Sequence, residues 1–138
     1  MNGTSESIDI VGARAWRKLH LGVDETTKEI VAVEVTPSRV HDCRLLPALL
    51  DQIPGRIVQV SGDGAYDTRA CYQSILDREA VTAIPPRRSA RLSESVDPPA
   101  WRAMRDTHLR EIRRLGRYEW RAVCLLLCNQ RHGFAVMC

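Results

Sequence analysis

Between residues 16 and 84 the spacing of apolar side chains switches repeatedly between a period of two and a period of three to four, and few folds accommodate that alternation. Trp16, Lys18, His20 and Gly22 fall on one face of an extended segment. Arg17, Leu19, Leu21 and Val23 fall on the other, which predicts a strand. Asp24-Glu25-Thr26-Thr27-Lys28 reads as a polar turn, and the β-branched run over residues 29–36 as a second strand, so 16–36 predicts a hairpin. After Pro37-Ser38, Asp42 is placed to cap a helix whose Leu45, Leu46, Leu49, Leu50 and Ile53 share one face. Pro54-Gly55 stops it. The apolar run over 57–61 predicts a short strand, and Thr68 or Asp67 a cap for a helix reaching about Glu79 that buries Ala70, Cys71, Ile75 and Leu76. A last strand over 81–84 ends at Pro85-Pro86. A hairpin followed by alternating helices and strands predicts a mixed α/β sheet with helices on its faces.

The second half changes character. Residues 87–99 are polar, arginine-bearing and bounded by prolines, which predicts a loop. Asp97-Pro98-Pro99 opens a helix with Trp101, Met104, His108, Ile112 and Leu115 on one stripe and Gly116 as its C-terminal cap. From Ala122 the chain is apolar and rich in cysteine, with no evident partner. Residues 1–68 carry a charge of −3 and residues 69–138 a charge of +6, every basic residue of the second half being arginine. Arginine forks suit phosphate, so this half points to a nucleic-acid partner; genomic base composition produces the same bias. Five cysteines argue against a disulfide framework. Cys124, Cys128 and His132 share a helical face but lack the four ligands of structural zinc, so buried thiols are the better expectation. A chain of 138 residues suits one domain, and it contains no apolar run long enough to span a membrane. A soluble protein of the cytoplasm is the expectation.

Asp63 is the residue most suited to chemistry. It follows a buried strand at the start of a loop into a helix, where ligands of open α/β sheets gather. Gly62 and Gly64 on either side permit close approach. A carboxylate there suits a hard cation such as Mg2+, although Asp-Gly is also a common turn pair.

Three blocks carry a resemblance. They are Trp16-Arg17-Lys18-Leu19-His20-Leu21-Gly22-Val23-Asp24, then residues 58–72 around Gly62-Asp63-Gly64-Ala65-Tyr66-Asp67, then Ile84-Pro85-Pro86-Arg87-Arg88. In that order, and continued by Ile112-Arg113-Arg114-Leu115-Gly116-Arg117, they resemble insertion-sequence DDE transposases of the "five" family over residues 16–121. The resemblance implies a ribonuclease-H-like mixed sheet with flanking helices. It also implies three acids holding two Mg2+ ions, DNA as transposon end and target, and a bacterial cytoplasmic or nucleoid-associated setting; a homo-oligomer is one option, since the sequence leaves the oligomeric state open. Two metals about 4 Å apart activate the attacking oxygen and stabilise the leaving one.

On that pattern Asp63 matches the second acid and metal ligand. The first acid belongs on an opening strand well upstream of Trp16, and Asp9 lacks the family's neighbouring residues. Asp24 matches a turn residue and is a weak metal candidate. The third acid belongs in a signature of Tyr, two residues, Arg, three residues, Glu, where Tyr118 and Arg121 are followed by Leu125. Residues 1–15 are expected to be poorly ordered, 16–121 to form a partial catalytic domain lacking its opening strand, and 122–138 to be a divergent tail with an altered final helix, as a frameshift would produce. Such a chain is expected to be catalytically inert and to leave a raw sheet edge. The alternative is a non-catalytic DNA-binding module built on the basic helix 100–117, with Arg87, Arg88, Arg91, Arg113, Arg114 and Arg117 facing phosphate.

Overall fold

The computed structural model describes residues 16–130 and 133–138; residues 1–15, with Asp9, and His132 lie outside the described residues. The predicted hairpin is present as β1 (Arg17–Asp24) and β2 (Ile30–Pro37), antiparallel, with Leu19 opposite Val35 and Leu21 opposite Val33. Asp24 Oδ1 shapes its turn by accepting from the backbone N–H groups of Thr26 and Thr27 at 2.8 and 3.1 Å. Helix α1 (Leu46–Asp51) follows, then β3 (Gln59–Ser61), α2 (Arg69–Leu76), β4 (Val81–Ala83), α3 (Ala100–Leu115), α4 (Arg117–Gln130) and β5 (Phe134–Met137). The expected mixed α/β architecture is what the chain forms.

Local signals place the elements with two corrections. Thr68 caps α2 by accepting from the Cys71 N–H at 3.3 Å, and Gly116 closes α3 by donating to the Ile112 carbonyl at 2.8 Å. Asp42 does not cap α1. It begins a 3-10 turn (Asp42–Arg44), and its Oδ1 accepts from Lys18 Nζ at 2.8 Å, a charged partner that outcompetes a backbone amide. Within α2, Ala70 faces solvent while Cys71, Tyr72 and Ile75 are buried.

The tail supplies the main surprise. The strands lie in the order β2-β1-β5-β3-β4, so β5, the last in sequence, is central. It runs antiparallel to β1, with Gly22 opposite Val136, and parallel to β3, with Ser61 opposite Ala135. The expected raw edge between β1 and β3 is therefore absent among the described residues, because residues 134–137 occupy it. Helix α4 runs on through the first part of this tail, to Gln130. Gly133 makes the reversal possible: its N–H donates to the Cys128 carbonyl at 2.9 Å, and a Cβ there would collide with Cys128 Sγ.

The sheet has two unlike faces. On one, Phe134 and Val136 join Val60, Ala32, Tyr66, Cys71, Ile75 and the α1 leucines Leu46, Leu49 and Leu50 in the core. On the other, α4 packs on β3 and β4, with Trp120 and Cys128 buried. Gln59 Nε2 donates to the Cys124 carbonyl at 3.1 Å, and Ser61 Oγ lies 3.2 Å from Cys128 Sγ. Burial raises both thiols, Cys124 to about 11, as expected of packed rather than reactive cysteines. In the hairpin the polar face is the covered one. His20 is fully buried and Thr36 nearly so, whereas Leu19, Val33 and Val35 are exposed.

His108 links α3 to the sheet. Its Nε2 is 2.8 Å from Thr82 Oγ1 on β4, and its ring meets Trp120 edge-on at 5.2 Å. Burial lowers its pKa from the ordinary 6.5 despite the nearby carboxylates of Glu111 and Asp67, which act in the opposite sense. The unfolded chain therefore takes up this proton first as pH falls. Stability present above pH 6.5 is lost on acidification through the lower folded-state pKa, by at most about 1.4 kcal/mol per pH unit. We expect a lower urea midpoint at pH 5.5 than at pH 7.5, and a flatter profile between those values in His108→Gln. An unchanged slope in that variant would assign the loss to other groups.

Candidate functional site

Asp63 lies two residues beyond β3, at the carboxyl ends of β3 and β5. Its backbone is extended, and its Oδ1 accepts from the Ala65 N–H at 2.8 Å, capping a short 3-10 turn (Gly64–Tyr66). The side chain is exposed. Of the two flanking glycines only Gly62 is sterically required. A Cβ on it would lie 2.9 Å from the Tyr66 ring and 3.0 Å from Val136 Cγ2, whereas one on Gly64 would meet only the Pro85 carbonyl at 3.7 Å.

Asp63 lines a cleft of about 240 Å³ between the sheet and α4. The same cleft is lined by Glu25, Arg121, Leu125, Ala135 and Met137. Leu125, at the spacing where a third acid is expected, thus shares the cleft with Asp63. The central strand beside them contributes Ala135 and Met137, neither of which can ligate a hard cation. Arg121, the arginine of the expected signature, is thus in the cleft, whereas Glu25 stands in no motif that marks it.

Of the two carboxylates that line the cleft, one is already paired. Glu25 donates its N–H to the Gly133 carbonyl, level with the start of β5, and its Oε2 pairs with Lys28 Nζ at 2.7 Å. Asp63 follows β3, on the other side of β5 from the β1 turn that carries Glu25. Asp24 pairs with Phe134 across β1 and β5, so β5 stands between it and the strand that leads to Asp63. Its carboxylate is committed to its own turn.

Beside Asp63 lies an ion pair that the sequence does not advertise. The Asp67 side chain is fully buried and accepts from Arg105 Nη2 of α3 at 2.8 Å and from the Arg87 N–H at 2.9 Å. It fixes the loop after Asp63 to α3 and to the start of the arginine-rich segment. Of the six arginines expected to face DNA, Arg87, Arg88, Arg91, Arg113 and Arg114 are exposed. Arg117 is partly buried and donates to the Pro86 carbonyl at 2.9 Å, which ties the α3–α4 junction to that segment. Among the described residues, no helix is long and apolar enough to cross a membrane. A family profile described as the transposase DDE domain matches residues 5–123, and no solved structure matches the chain.

Proposed function

Since the chain belongs to the transposase DDE-domain family, we propose that it keeps the DNA-facing framework of such an enzyme without a working metal centre, and that this polypeptide alone neither cuts nor joins DNA. The family acts on DNA and uses divalent metal ions. Asp63 is the ancestral ligand on this reading, and the donor set around it does not fit a metal pair. The observation that carries the reading is the cleft lining: Leu125, Ala135 and Met137 line it with Asp63, and Glu25, the other carboxylate among its lining residues, is paired with Lys28. Phosphoryl transfer depends almost wholly on positioned charge, which one carboxylate does not supply. With Mg2+ or Mn2+ and transposon-end duplex, the purified chain is expected to give no nicked or joined product. Nicking that disappears in Asp63→Ala would overturn the reading.

Domain limits follow the same reading: residues 16–121 form the family's domain core, and 122–138 a divergent tail.

The exposed arginines favour a second reading, a DNA-binding module without catalysis. Arg113 and Arg114 end α3, and Arg117 holds the arginine-rich segment beside them. Phosphate contacts would dominate, so affinity for the same duplex falls steeply as salt rises, by a log–log slope of about 0.9 for each phosphate contacted. A salt-independent affinity, or none at low salt, removes this reading and leaves the first untouched.

A further inference from the structure

Beside the carboxyl end of β5, three unlike donors converge from distant parts of the chain. A ring nitrogen of His20 on β1, a carboxylate oxygen of Asp42 in the 3-10 turn and the Sγ of Cys138 just after β5 all lie within 4.8 Å of one another. His20 is fully buried, and its Nε2 is taken by Thr36 Oγ1 at 2.8 Å. Its Nδ1 is buried with no hydrogen-bond partner. A buried ring nitrogen without a partner is costly, and a cation is one way to satisfy it. We propose that His20, Asp42 and Cys138 form a binding site for a borderline-soft divalent cation of the Zn2+ type, which clips the tail strand to the hairpin.

Donor chemistry selects the ion. One imidazole, one carboxylate and one thiolate suit a tetrahedral Zn2+, with solvent at the fourth position beside the exposed Cys138; a thiolate and an imidazole disfavour Mg2+. Lys18 does not compete for the ion. Its Nζ donates to Asp42 Oδ1 at 2.8 Å and to the Val40 carbonyl at 3.1 Å, which orients the carboxylate as an outer partner does in metal sites. On binding, the ion displaces the Cys138 thiol proton to solvent as the metal–sulfur bond forms.

The consequence is structural. β5 pairs with its neighbours through only a few residues, and its carboxyl end would be anchored by a metal bond to residues 20 and 42. Co2+ is a direct probe, since thiolate coordination gives an intense near-ultraviolet band and tetrahedral geometry gives visible bands. Titration of the purified chain is expected to produce both, saturating at one ion per chain. Cys138→Ser, a change at an exposed position that leaves the other four cysteines in place, is expected to lose the thiolate band, and Asp42→Asn to bind at least about tenfold more weakly. In parallel, excess Zn2+ raises the Tm of the parent by roughly 5 °C and that of Cys138→Ser by far less, with no effect of Mg2+. A thiolate band of equal strength in Cys138→Ser, no such band up to about 1 mM Co2+, or equal Zn2+ stabilisation of both chains would overturn the assignment.

Discussion

Deleting residues 131–138 is expected to abolish cooperative unfolding. The deletion removes the central strand, leaving β1 and β3 without the partner each has on its inner side. It also removes Phe134 and Val136 from the core. Burying two such side chains contributes roughly 3–6 kcal/mol before any ladder hydrogen bond is counted, against a typical total of about 5–15 kcal/mol for a domain. The unpaired edges would then be open to association. Far-UV and near-UV circular dichroism through a thermal ramp check this, with size-exclusion chromatography for aggregation. A truncated chain that melts cooperatively as a monomer near the parent Tm would show that β5 does not hold the sheet together.

The second large effect is expected at Asp67. Replacing it with alanine leaves the Arg105 guanidinium, 16% exposed in the pair, without its counter-charge and the Arg87 N–H without its acceptor. Breaking one side of a buried pair costs about 3–5 kcal/mol, mostly as the penalty of the stranded charge. The urea midpoint of Asp67→Ala should fall accordingly. The double variant Asp67→Leu with Arg105→Met should recover much of the loss, because neither charge then remains buried. If the single and double variants lose stability equally, the pair is not the source. Since Asp67 anchors the loop after Asp63, the single variant should also raise hydrogen exchange at Ala65 and Tyr66, whose amides bond to Asp63.

Much of this was legible in the chain. The hairpin, the α1 face of Leu46, Leu49, Leu50 and Ile53, the Thr68 cap and the Gly116 stop are governed by neighbours within a few residues, and the structure has them where the spacing predicts. The missing acid at Leu125 was also readable, and the structure adds that Leu125 shares a cleft with Asp63. What could not be read depends on partners far away in sequence. Asp42 is a reasonable helix cap until Lys18, 24 residues earlier, is brought to it. Asp67 is as good a cap for α2 as Thr68 until Arg105 arrives from 38 residues on. His20 stands on what looks like the solvent face of β1, yet α1 and the 3-10 turn cover that face and leave Leu19 in water.

The amino-acid order alone determined the periods, the caps and the family blocks, because these are short-range properties of backbone sterics and of side chains a turn or two apart. Only the folded chain decided which segment becomes the middle of the sheet. A four-residue run such as Phe134-Ala135-Val136-Met137 has no local preference strong enough to choose a place. It is held where it is by ladders to β1 and β3, and by the apolar surface that opening the slot would expose to water.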